Sequence, residues 1–274
     1  MAYQLGFLKL RFSVEEGSKK ERIIKNIIQK EDTIKGFLAK TFHKFLNIKK
    51  HSVFINNQQF YFYDIASSRA YMGVALEMEK DCYGLSKIDF KKNDIVIDIG
   101  ANTGIVSIYL AKKYPFLKIY SFEPFKMNYK SFIKNIKINN IPEGIIHPFN
   151  KAVTKDGRNI IMKAVDFLNS GSFSVDFSKK ELDNRKDTVS SITLDNIIET
   201  VLADNKQDHI KFLKMDCELS EYEILKNTKT ENLKKISYLS AEFHEKKDFG
   251  NADELETYVR KYIPNVTVTK CKLD

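Results

Sequence analysis

The chain has 274 residues, of which 43% are hydrophobic and 12% aromatic, so it can bury a large apolar core. This composition excludes an intrinsically disordered body, and no apolar run reaches the roughly 18 to 20 residues that a membrane-spanning helix needs. The formal net charge is +9, but residues 19–50 alone carry ten basic and three acidic side chains. We therefore expect a soluble, cytoplasmic protein with a nearly neutral body and a basic N-terminal segment.

The three cysteines, Cys82, Cys217 and Cys271, are odd in number and lack the spacing of metal sites. The sequence therefore predicts neither a disulfide framework nor a cysteine-bound metal. Eleven glycines and five prolines are few for this length, so a cluster of glycines is informative wherever it occurs.

The N-terminal part of the chain is predicted to form a cap. Across residues 18–50 the apolar side chains recur at spacings of three and four, which is typical of one face of one or two helices. Asn56 and Asn57 tolerate positive φ and separate two short apolar stretches, which predicts a hairpin. We expect residues 1–69 to form this helical and hairpin cap and residues 70–274 to form the main domain.

From residue 94 onward, short apolar runs alternate with helical stretches, as in a parallel sheet covered on both faces. The predicted strands are Ile95–Ile99, Lys118–Phe122, Ile145–Phe149, Ile210–Met215, Ile236–Phe243 and Val266–Cys271. The predicted helices are Ile105–Lys113, Lys126–Asn139, Glu221–Lys226 and Asp253–Tyr262. Residues 157–188 are rich in serine and predict a long loop with room for an inserted hairpin. The predicted fold class is α/β, a doubly wound Rossmann-like sheet.

The strongest local signal is a glycine turn, residues 100–104, which joins the first of these strands to the first helix. Gly100 and Gly104 let the backbone turn sharply and approach a ligand, and the helix N-terminus offers free N–H groups. The spacing fails the G-x-G-x-x-G pattern of dinucleotide sites, and Asp98 would repel a pyrophosphate. A carboxylate there attracts a cation or an ammonium group, so the turn predicts a nucleotide-like cofactor of another kind.

Glu123 is the second signal, at the end of the next strand and 19 residues after Gly104. A carboxylate in this place can accept both hydrogen bonds from a ribose diol. Pro124 ends the strand, and Pro124 or Phe125 can flank an adenine ring.

The sequence from Asp98 to Gly104, followed by Phe122-Glu-Pro124, resembles the cofactor site of class I S-adenosylmethionine-dependent methyltransferases. More particularly, the chain is similar to the FkbM-type methyltransferases, from about residue 70 to 262. Further stretches that carry the resemblance are Lys151-Ala-Val153, Ser191-Ile-Thr-Leu-Asp195, Lys211-Phe-Leu-Lys-Met-Asp-Cys-Glu218 and Glu242-Phe-His244. The resemblance implies a seven-strand class I methyltransferase fold, S-adenosyl-L-methionine as the cofactor, and methyl transfer, usually to a hydroxyl of a sugar or other metabolite.

The resemblance also implies a role for each residue of the cofactor site. It assigns binding of the methionine end of the cofactor to Asp98, Gly100, Ala101, Asn102 and Gly104. It assigns the ribose to Glu123, next to Pro124, and the adenine to Ala152 and Val153. The structural alternatives are a strand-to-helix turn for Asp98 and the glycines, an exposed carboxylate at a strand end for Glu123, and apolar core packing for Ala152 and Val153.

Four polar residues follow strands four and five, at the edge of the sheet where the methyl group would lie. Asp216 and Glu218 share one face of the chain, and Glu242 and His244 share another, because side chains alternate along an extended strand. Asp216 and His244 are the candidates for positioning the acceptor or removing its proton, with Glu218 and Glu242 in support. The alternatives are helix caps with a structural histidine, or a Mg²⁺ site, and we predict no metal.

The sequence departs from the FkbM pattern at one turn. FkbM-type sequences commonly read Asp-Val-Glu-Gly-His-Glu after strand four, whereas this chain reads Asp216-Cys-Glu-Leu-Ser-Glu221. The turn is therefore expected to differ. The chain also ends about ten residues after the last predicted helix, which predicts that one strand of the usual final antiparallel pair is missing or truncated.

We expect a small-molecule or glycan acceptor, and two other functions stay open. One is an RNA methyltransferase that uses the basic segment, and the other is a non-catalytic nucleotide- or partner-binding module on the same fold. RNA readers interleave basic residues with aromatic rings that stack on bases. Because Phe37, Phe42 and Phe45 follow the apolar helical period instead, nucleic acid is not favoured.

Overall fold

The computed structural model describes residues 2–5, 10–13, 48–65, 70–164, 173–175, 187–245 and 250–272. The chain divides into two compact units, residues 1–47 and 48–274. In the first unit, β1 (Ala2–Leu5) and β2 (Leu10–Ser13) pair as antiparallel strands. The helices predicted within residues 18–50 lie outside the described residues, except that 48–50 belong to a strand.

The predicted hairpin is confirmed. It consists of β3 (Ile48–Ile55) and β4 (Gln58–Ile65), which pair as antiparallel strands from end to end. Asn56 and Asn57 form its two-residue turn with φ of 48° and 62°, the backbone conformation that such turns require. The structure groups this hairpin in the same unit as the main domain, while the predicted boundary after residue 69 stays a prediction.

The centre of the second unit is a six-stranded parallel sheet, as the alternating pattern predicted. Its strands are β5 (Ile95–Ile99), β6 (Lys118–Phe122), β7 (Ile146–Phe149), β13 (Ile210–Met215), β14 (Ile236–Glu245) and β15 (Asn265–Lys272). The order across the sheet is β15-β14-β13-β5-β6-β7. The chain reverses direction across the sheet between β5 and β13, so the carboxyl ends of these two strands border the crevice where α/β folds bind ligands.

Seven α-helices accompany the described strands of this unit. They are α1 (Ala70–Glu79), α2 (Ile105–Lys113), α3 (Lys126–Ile138), α4 (Leu194–Asn205), α5 (Glu221–Asn227), α6 (Thr230–Leu233) and α7 (Ala252–Val259). One buried apolar cluster joins α1, α2 and the hairpin to one side of the sheet, and a second joins α4, α5 and α7 to the other. The sheet is thus covered on both faces, which confirms the doubly wound α/β class.

Three of these helices have no counterpart in the sequence prediction, namely α1, α4 and the short α6. Helix α4 had a readable signal, because Thr193 accepts a hydrogen bond from Asn196 N at its start and its buried side chains repeat every three or four residues. Helix α1 has a much weaker amphipathic pattern, since Met72 and Leu76 are exposed while Ala75 and Met78 are buried.

The long loop predicted over residues 157–188 contains three short strands. They are β9 (Ile160–Ala164), β10 (Phe173–Val175) and β11 (Asp187–Val189), and they form an antiparallel sheet in the order β10-β9-β11. A smaller parallel pair joins β8 (Ala152–Val153) to β12 (Ser191–Ile192). Residues 165–172 and 176–186 lie outside the described residues, and most of the serine-rich segment 170–174 lies with them.

The seven-strand sheet that the resemblance implies is corrected by the structure. The described residues form a six-stranded main sheet, in which β15 runs parallel to β14 as the alternating pattern predicted. The physical reason is the single helix α7 between the two strands, which returns the chain to the starting edge of the sheet. Such a strand–helix–strand unit makes its second strand parallel to the first.

The hairpin is anchored on α3 by two buried asparagines. Asn135 Oδ1 accepts from Tyr63 N at 2.6 Å, and Asn139 Oδ1 accepts from Tyr61 N at 3.0 Å. Their amide groups donate back to the carbonyls of the same two tyrosines. Across the residues that the structure describes, no helix combines the length and the apolar character needed to cross a membrane.

Candidate functional site

The glycine turn is packed directly against the segment that follows β13. Gly100 has a φ of +75°, and a Cβ built on it would lie 1.7 Å from the backbone oxygen of Asp216. Gly104 has a φ of +84°, and its Cβ would overlap the ring of Phe132 at 1.9 Å. A side chain at either position would displace the turn, so both glycines are required by contact as well as by conformation.

Asp98 lies fully buried beneath this turn rather than facing an open space. Its Oδ2 accepts a hydrogen bond from Ser107 Oγ at 2.6 Å, and Ser107 is in turn bonded to Ser121 at 2.8 Å. Its Oδ1 has no hydrogen-bond partner among the described residues, although Lys214 Nζ lies 3.5 Å away. The carboxylate therefore ties β5 to α2 and supplies negative charge under the turn.

Lys214 is a buried ammonium between two carboxylates, and the sequence analysis gave it no role. Its Nζ donates to the carbonyl oxygen of Gly100 at 2.8 Å and lies 3.8 Å from Asp216 Oδ2. Burial alone would lower the pKa of Lys214, but the charges of Asp98 and Asp216 raise it above its usual value. The ammonium thus stays charged and links the glycine turn to β13.

Glu123 is buried at the end of β6 and holds the same turn from the other side. Its Oε2 accepts from Asn102 N and its Oε1 from Phe125 N, both at 2.8 Å. Burial raises the pKa of this carboxyl group to about 7, although the two backbone N–H groups favour the ionised form. Each oxygen keeps a second lone pair, so the carboxylate can still accept hydrogen bonds from a ligand.

A pocket of about 180 Å³ opens next to Glu123, lined by Pro124, Phe125, Lys126, Asn150, Thr188, Val189 and Ser190. Asn150 fixes its floor, because its amide donates to the carbonyls of Glu123 and Pro124 at 2.8 and 2.9 Å. Val153 packs in the main core, and Ala152 packs with Ile160 and Val189. The structure therefore places these two predicted adenine contacts in apolar clusters beside the pocket.

His244 and Glu221 form a buried pair at the ends of β14 and the turn after β13. His244 Nδ1 lies 3.0 Å from Glu221 Oε1, which also accepts from the backbone N–H of Cys217. Burial alone would lower the pKa of His244, but the hydrogen bond and charge of Glu221, with other carboxylates, raise it to about 9. The sequence motif after strand four includes Glu221, but the sequence did not predict that Glu221 pairs with His244.

Two further carboxylates lie near the other ring nitrogen of His244, and Asp216 has an oxygen within 4.8 Å of a nitrogen of the same ring. Nε2 of His244 lies 3.8 Å from Glu218 Oε2 and 3.7 Å from Glu242 Oε1. Burial raises the pKa of Glu218 to about 7, and burial and the charge of Asp216 raise that of Glu242. The structure therefore brings together all four residues that the sequence placed at this edge.

Asp216, Glu221 and His244 also satisfy the spacing of a metal site. One possible ligand atom from each lies within 4.8 Å of the other two. The hydrogen bond between Glu221 Oε1 and His244 Nδ1 pairs the two groups without an ion, whereas Glu221 Oε2 is buried and has no hydrogen-bond partner among the described residues. The three residues therefore fit both a metal-free role and a metal site.

The turn after β13 departs from ordinary backbone geometry where the FkbM pattern has its glycine. Glu218 and Leu219 have φ of 51° and 77°, a conformation that is costly for any residue with a side chain. Leu219 stands at the position of that glycine. The turn keeps the backbone shape that a glycine permits. Glu218 and Glu221, on either side of Leu219, both lie close to the ring of His244.

Residues 98–266 match the family model described as "Methyltransferase FkbM domain", which is more than half of the chain. The chain belongs to this FkbM methyltransferase family. S-Adenosyl-L-methionine is the cofactor of this methyltransferase family, and the matched segment runs from Asp98 in β5 to the start of β15.

Two fungal relatives are similar over shorter stretches. "Methyltransferase sdnD" of Sordaria araneosa is 34% identical over 64 residues, which is 23% of this chain and 24% of that protein. "Methyltransferase 1" of Beauveria bassiana (strain ARSEF 2860) is 30% identical over 60 residues, 22% and 23% of the two chains. The matched stretch thus spans about a quarter of each curated relative.

Solved structures show weaker likeness. TYW2 of P. horikoshii in complex with MeSAdo is 20% identical over 38% of this chain and 36% of that chain, with a TM-score of 0.29. The StiE O-MT structure is 8% identical over 69% and 52% of the two chains, with a TM-score of 0.38. Likeness at this level says nothing further about the FkbM domain described above.

Proposed function

We propose that the protein is an S-adenosyl-L-methionine-dependent O-methyltransferase that acts on a hydroxyl of a small molecule or glycan. The observation that carries this proposal is the buried His244–Glu221 pair at the same crevice as the glycine turn. A histidine oriented through one nitrogen by a carboxylate can take a proton from an acceptor hydroxyl through the other. The cytoplasmic location stays a prediction.

The residues around the turn fit this cofactor. Its methionine end carries an ammonium and a sulfonium, and Asp98 and Asp216 place negative charge on either side of Lys214 close to the turn. We assign Gly100, Ala101, Asn102 and Gly104 to backbone contact with that end. This assignment makes Asp98 an electrostatic support beneath the cofactor, in keeping with its complete burial.

The ribose and adenine ends are assigned to the neighbouring strand. Glu123 keeps lone pairs for the ribose hydroxyls while its backbone bonds to Asn102 and Phe125 hold it in place. The pocket beside Pro124 offers a cleft for a flat ring. Ala152 and Val153 remain assigned to the adenine region as apolar support behind that pocket.

Bound S-adenosylmethionine supplies an electrophilic methyl group, and the chain supplies alignment and a place for the proton. The acceptor hydroxyl must face the methyl in line with the departing sulfur, which makes positioning the larger contribution. We assign Asp216 to hold that hydroxyl and His244 Nε2 to receive its proton. Glu218 and Glu242 then stabilise the histidinium that forms, since both lie within 4 Å of Nε2.

The charge of the crevice controls when His244 acts as a base. In the protein alone the surrounding carboxylates raise its pKa to about 9, so the ring is protonated at neutral pH. A sulfonium bound nearby is a positive charge and opposes that protonation. Cofactor binding therefore lowers the pKa of His244 and readies the base for the acceptor.

The proposal is tested by mass spectrometry with a cofactor that carries a deuterated methyl group. The full chain is incubated with small-molecule and glycan fractions of host-cell extract, and products heavier by one labelled methyl group are sought. Labelled products whose fragmentation places the methyl on oxygen are expected. Cofactor binding without any labelled product would favour a non-catalytic module, and methyl groups found only in the RNA fraction would favour an RNA methyltransferase.

A chelator separates the metal-free mechanism from the metal alternative. We expect turnover to be unchanged after dialysis against EDTA, because His244 Nδ1 and Glu221 Oε1 already lie 3.0 Å apart without an ion. Loss of turnover with EDTA and its return with one divalent ion would instead assign Asp216, Glu221 and His244 as ligands.

A further inference from the structure

The outer face of the β3–β4 hairpin carries a row of aromatic side chains. In the register of the two strands, Phe54 lies opposite Gln59, Ser52 opposite Tyr61, and Lys50 opposite Tyr63, so these side chains share one face. The opposite face holds Phe60 and Phe62, which are fully buried. The outer face is open to solvent, and Phe54 at its tip is 60% exposed.

Two lysines from different elements lie beside the tyrosine rings of this face, and a third lies near the hairpin backbone. Lys50 Nζ lies 4.1 Å from the centre of the Tyr61 ring, and Lys134 Nζ of α3 lies 6.0 Å from that of Tyr63. Lys112 Nζ of α2 donates to the carbonyl of Gln59, the strand partner of Phe54, at 2.9 Å, and lies 4.6 Å from the centre of the buried Phe60 ring. Lys50 and Lys134 are thus the ammonium groups that lie beside the aromatic rings of the outer face.

The charge of the hairpin and of helices α2 and α3 is one-sided. Helices α2 and α3 contain no acidic residue, and four exposed lysines follow one another along α3 at positions 126, 130, 134 and 137. On the hairpin the acidic side chain is Asp64, which is buried. A polyanion approaching the hairpin across α3 meets several positive charges and no exposed carboxylate of these elements.

We propose that this hairpin face binds single-stranded nucleic acid. Aromatic rings beside ammonium groups fit its chemistry, because each nucleotide presents a flat base for stacking and a phosphate for a lysine. Phe54, Tyr61 and Tyr63 are the stacking rings, and Lys50 and Lys134 are the phosphate contacts. The spacing between Gln59 and Tyr63 along the strand is about 14 Å, enough for a few unstacked nucleotides.

The surface is also connected to the glycine turn. Asn135 accepts from the backbone N–H of Tyr63 and donates to the carbonyl of Thr103 at 2.9 Å. One side chain thus joins the inner end of the aromatic row to the turn that is assigned to the cofactor. The binding surface does not depend on the proposed methyl transfer, and its test needs no turnover.

Fluorescence anisotropy with a labelled twelve-nucleotide oligouridine measures this binding in the full chain over a series of NaCl concentrations. Replacing Lys50 and Lys134 with glutamine should weaken binding and reduce the salt slope by about 1.4, since each phosphate contact to a single strand contributes about 0.7. Replacing Phe54 and Tyr61 with serine should weaken binding about tenfold or more with the slope unchanged, because stacking is lost and the charges remain.

Matched controls lie on other surfaces of the same unit. The double variant Lys234→Gln, Lys261→Gln removes two exposed charges, and Phe116→Ser removes an aromatic ring that is 38% exposed. Both controls should bind like the wild type. The proposal is overturned if the wild type does not bind at 50 mM NaCl, or if hairpin and control variants weaken binding equally. It is also overturned if phosphatidylserine vesicles bind and the oligonucleotide does not, because the partner is then a membrane.

Discussion

The two halves of the crevice are built in opposite ways. The half at β5 and β6 comes from one local run, in which a strand, a glycine turn and a helix follow each other without interruption. The half at β13 and β14 comes from charged side chains that are distant in sequence, with Glu221 and His244 separated by 23 residues. The first half is therefore a backbone shape, and the second is an arrangement of charges.

This difference explains what each half tolerates. A backbone shape fails when a Cβ is added, because Gly100 and Gly104 have no room for one. An arrangement of charges keeps its shape when one residue is replaced, but the pKa values of its neighbours change. The first half should thus respond to substitution mainly in stability and cofactor binding, and the second mainly in rate and pH dependence.

The largest expected effect lies in the second half. Replacing His244 with alanine should lower kcat by about 100- to 10,000-fold, the usual contribution of a positioned base. In the wild type at saturating cofactor, kcat/KM for the acceptor should rise with pH and level off below about 9, because bound cofactor lowers the pKa of His244 from its value of about 9 in the protein alone. Steady-state rates with the acceptor identified by labelling check both expectations.

His209 provides the matched control, because it is an exposed histidine at the other end of β13. His209→Ala should leave both the rate and the pH profile unchanged. A full rate in His244→Ala would show that the acceptor loses its proton without this residue.

The next largest effect lies in the first half and concerns stability. Gly100→Ala should destabilise the fold by about 3 kcal/mol or more, because a Cβ at 1.7 Å from a backbone oxygen forces the turn and β13 apart. Gly144 has a similar φ of +82° but open space around it, so Gly144→Ala should cost only about 1 to 2 kcal/mol. Urea unfolding of both variants separates the cost of the steric contact from the cost of the positive φ. Equal losses in the free energy of unfolding would contradict the close packing of the turn.

The third effect is smaller and concerns how cofactor affinity in the first half depends on pH. Because burial raises the pKa of Glu123 to about 7, its carboxylate is increasingly protonated below that pH and accepts fewer hydrogen bonds from the ribose. Cofactor affinity should therefore increase about tenfold as the pH rises from 6 to 8. Calorimetric titration of Glu123→Gln should show weak binding without this rise, whereas a rise of the same size would assign the titration to another group.

The smallest effect concerns the strained turn between the halves. With Leu219 at a φ of 77°, Leu219→Gly should be about 1 kcal/mol more stable than Leu219→Ala, since both lose the same side chain and only glycine relieves the conformation. At the exposed helical position Thr257 the order should reverse, with alanine more stable than glycine. Thermal unfolding of the four variants checks this. A higher stability of Leu219→Ala than of Leu219→Gly would contradict a positive φ at residue 219.

The sequence predicted the part of the fold that local patterns encode. Strands β5, β6 and β13 and helix α2 lie at the predicted residues, because a continuous apolar run or a turn with two glycines defines them. It missed α1, whose faces differ little in polarity. The parallel direction of β15 follows from the crossover through α7 rather than from the strand's own residues.

The candidate site follows the same division. The residues of the glycine turn could be named from spacing alone, whereas the partner of His244 could not. Lys214 is one polar residue in a buried strand, and its position between Asp98 and Asp216 follows from pairing of β13 with β5. Likewise, the aromatic row of the hairpin becomes visible only when the register brings Phe54 and Tyr61 to one face.

Calorimetric titration of S-adenosyl-L-methionine into the wild type, Glu123→Ala and His244→Ala, with product formation followed on the same preparations, separates cofactor binding from catalysis. Glu123→Ala should lose about tenfold or more in cofactor affinity, while His244→Ala should bind the cofactor like the wild type and lose turnover. Equal loss of cofactor affinity in both variants, or no binding by the wild type at millimolar cofactor, would contradict these assignments.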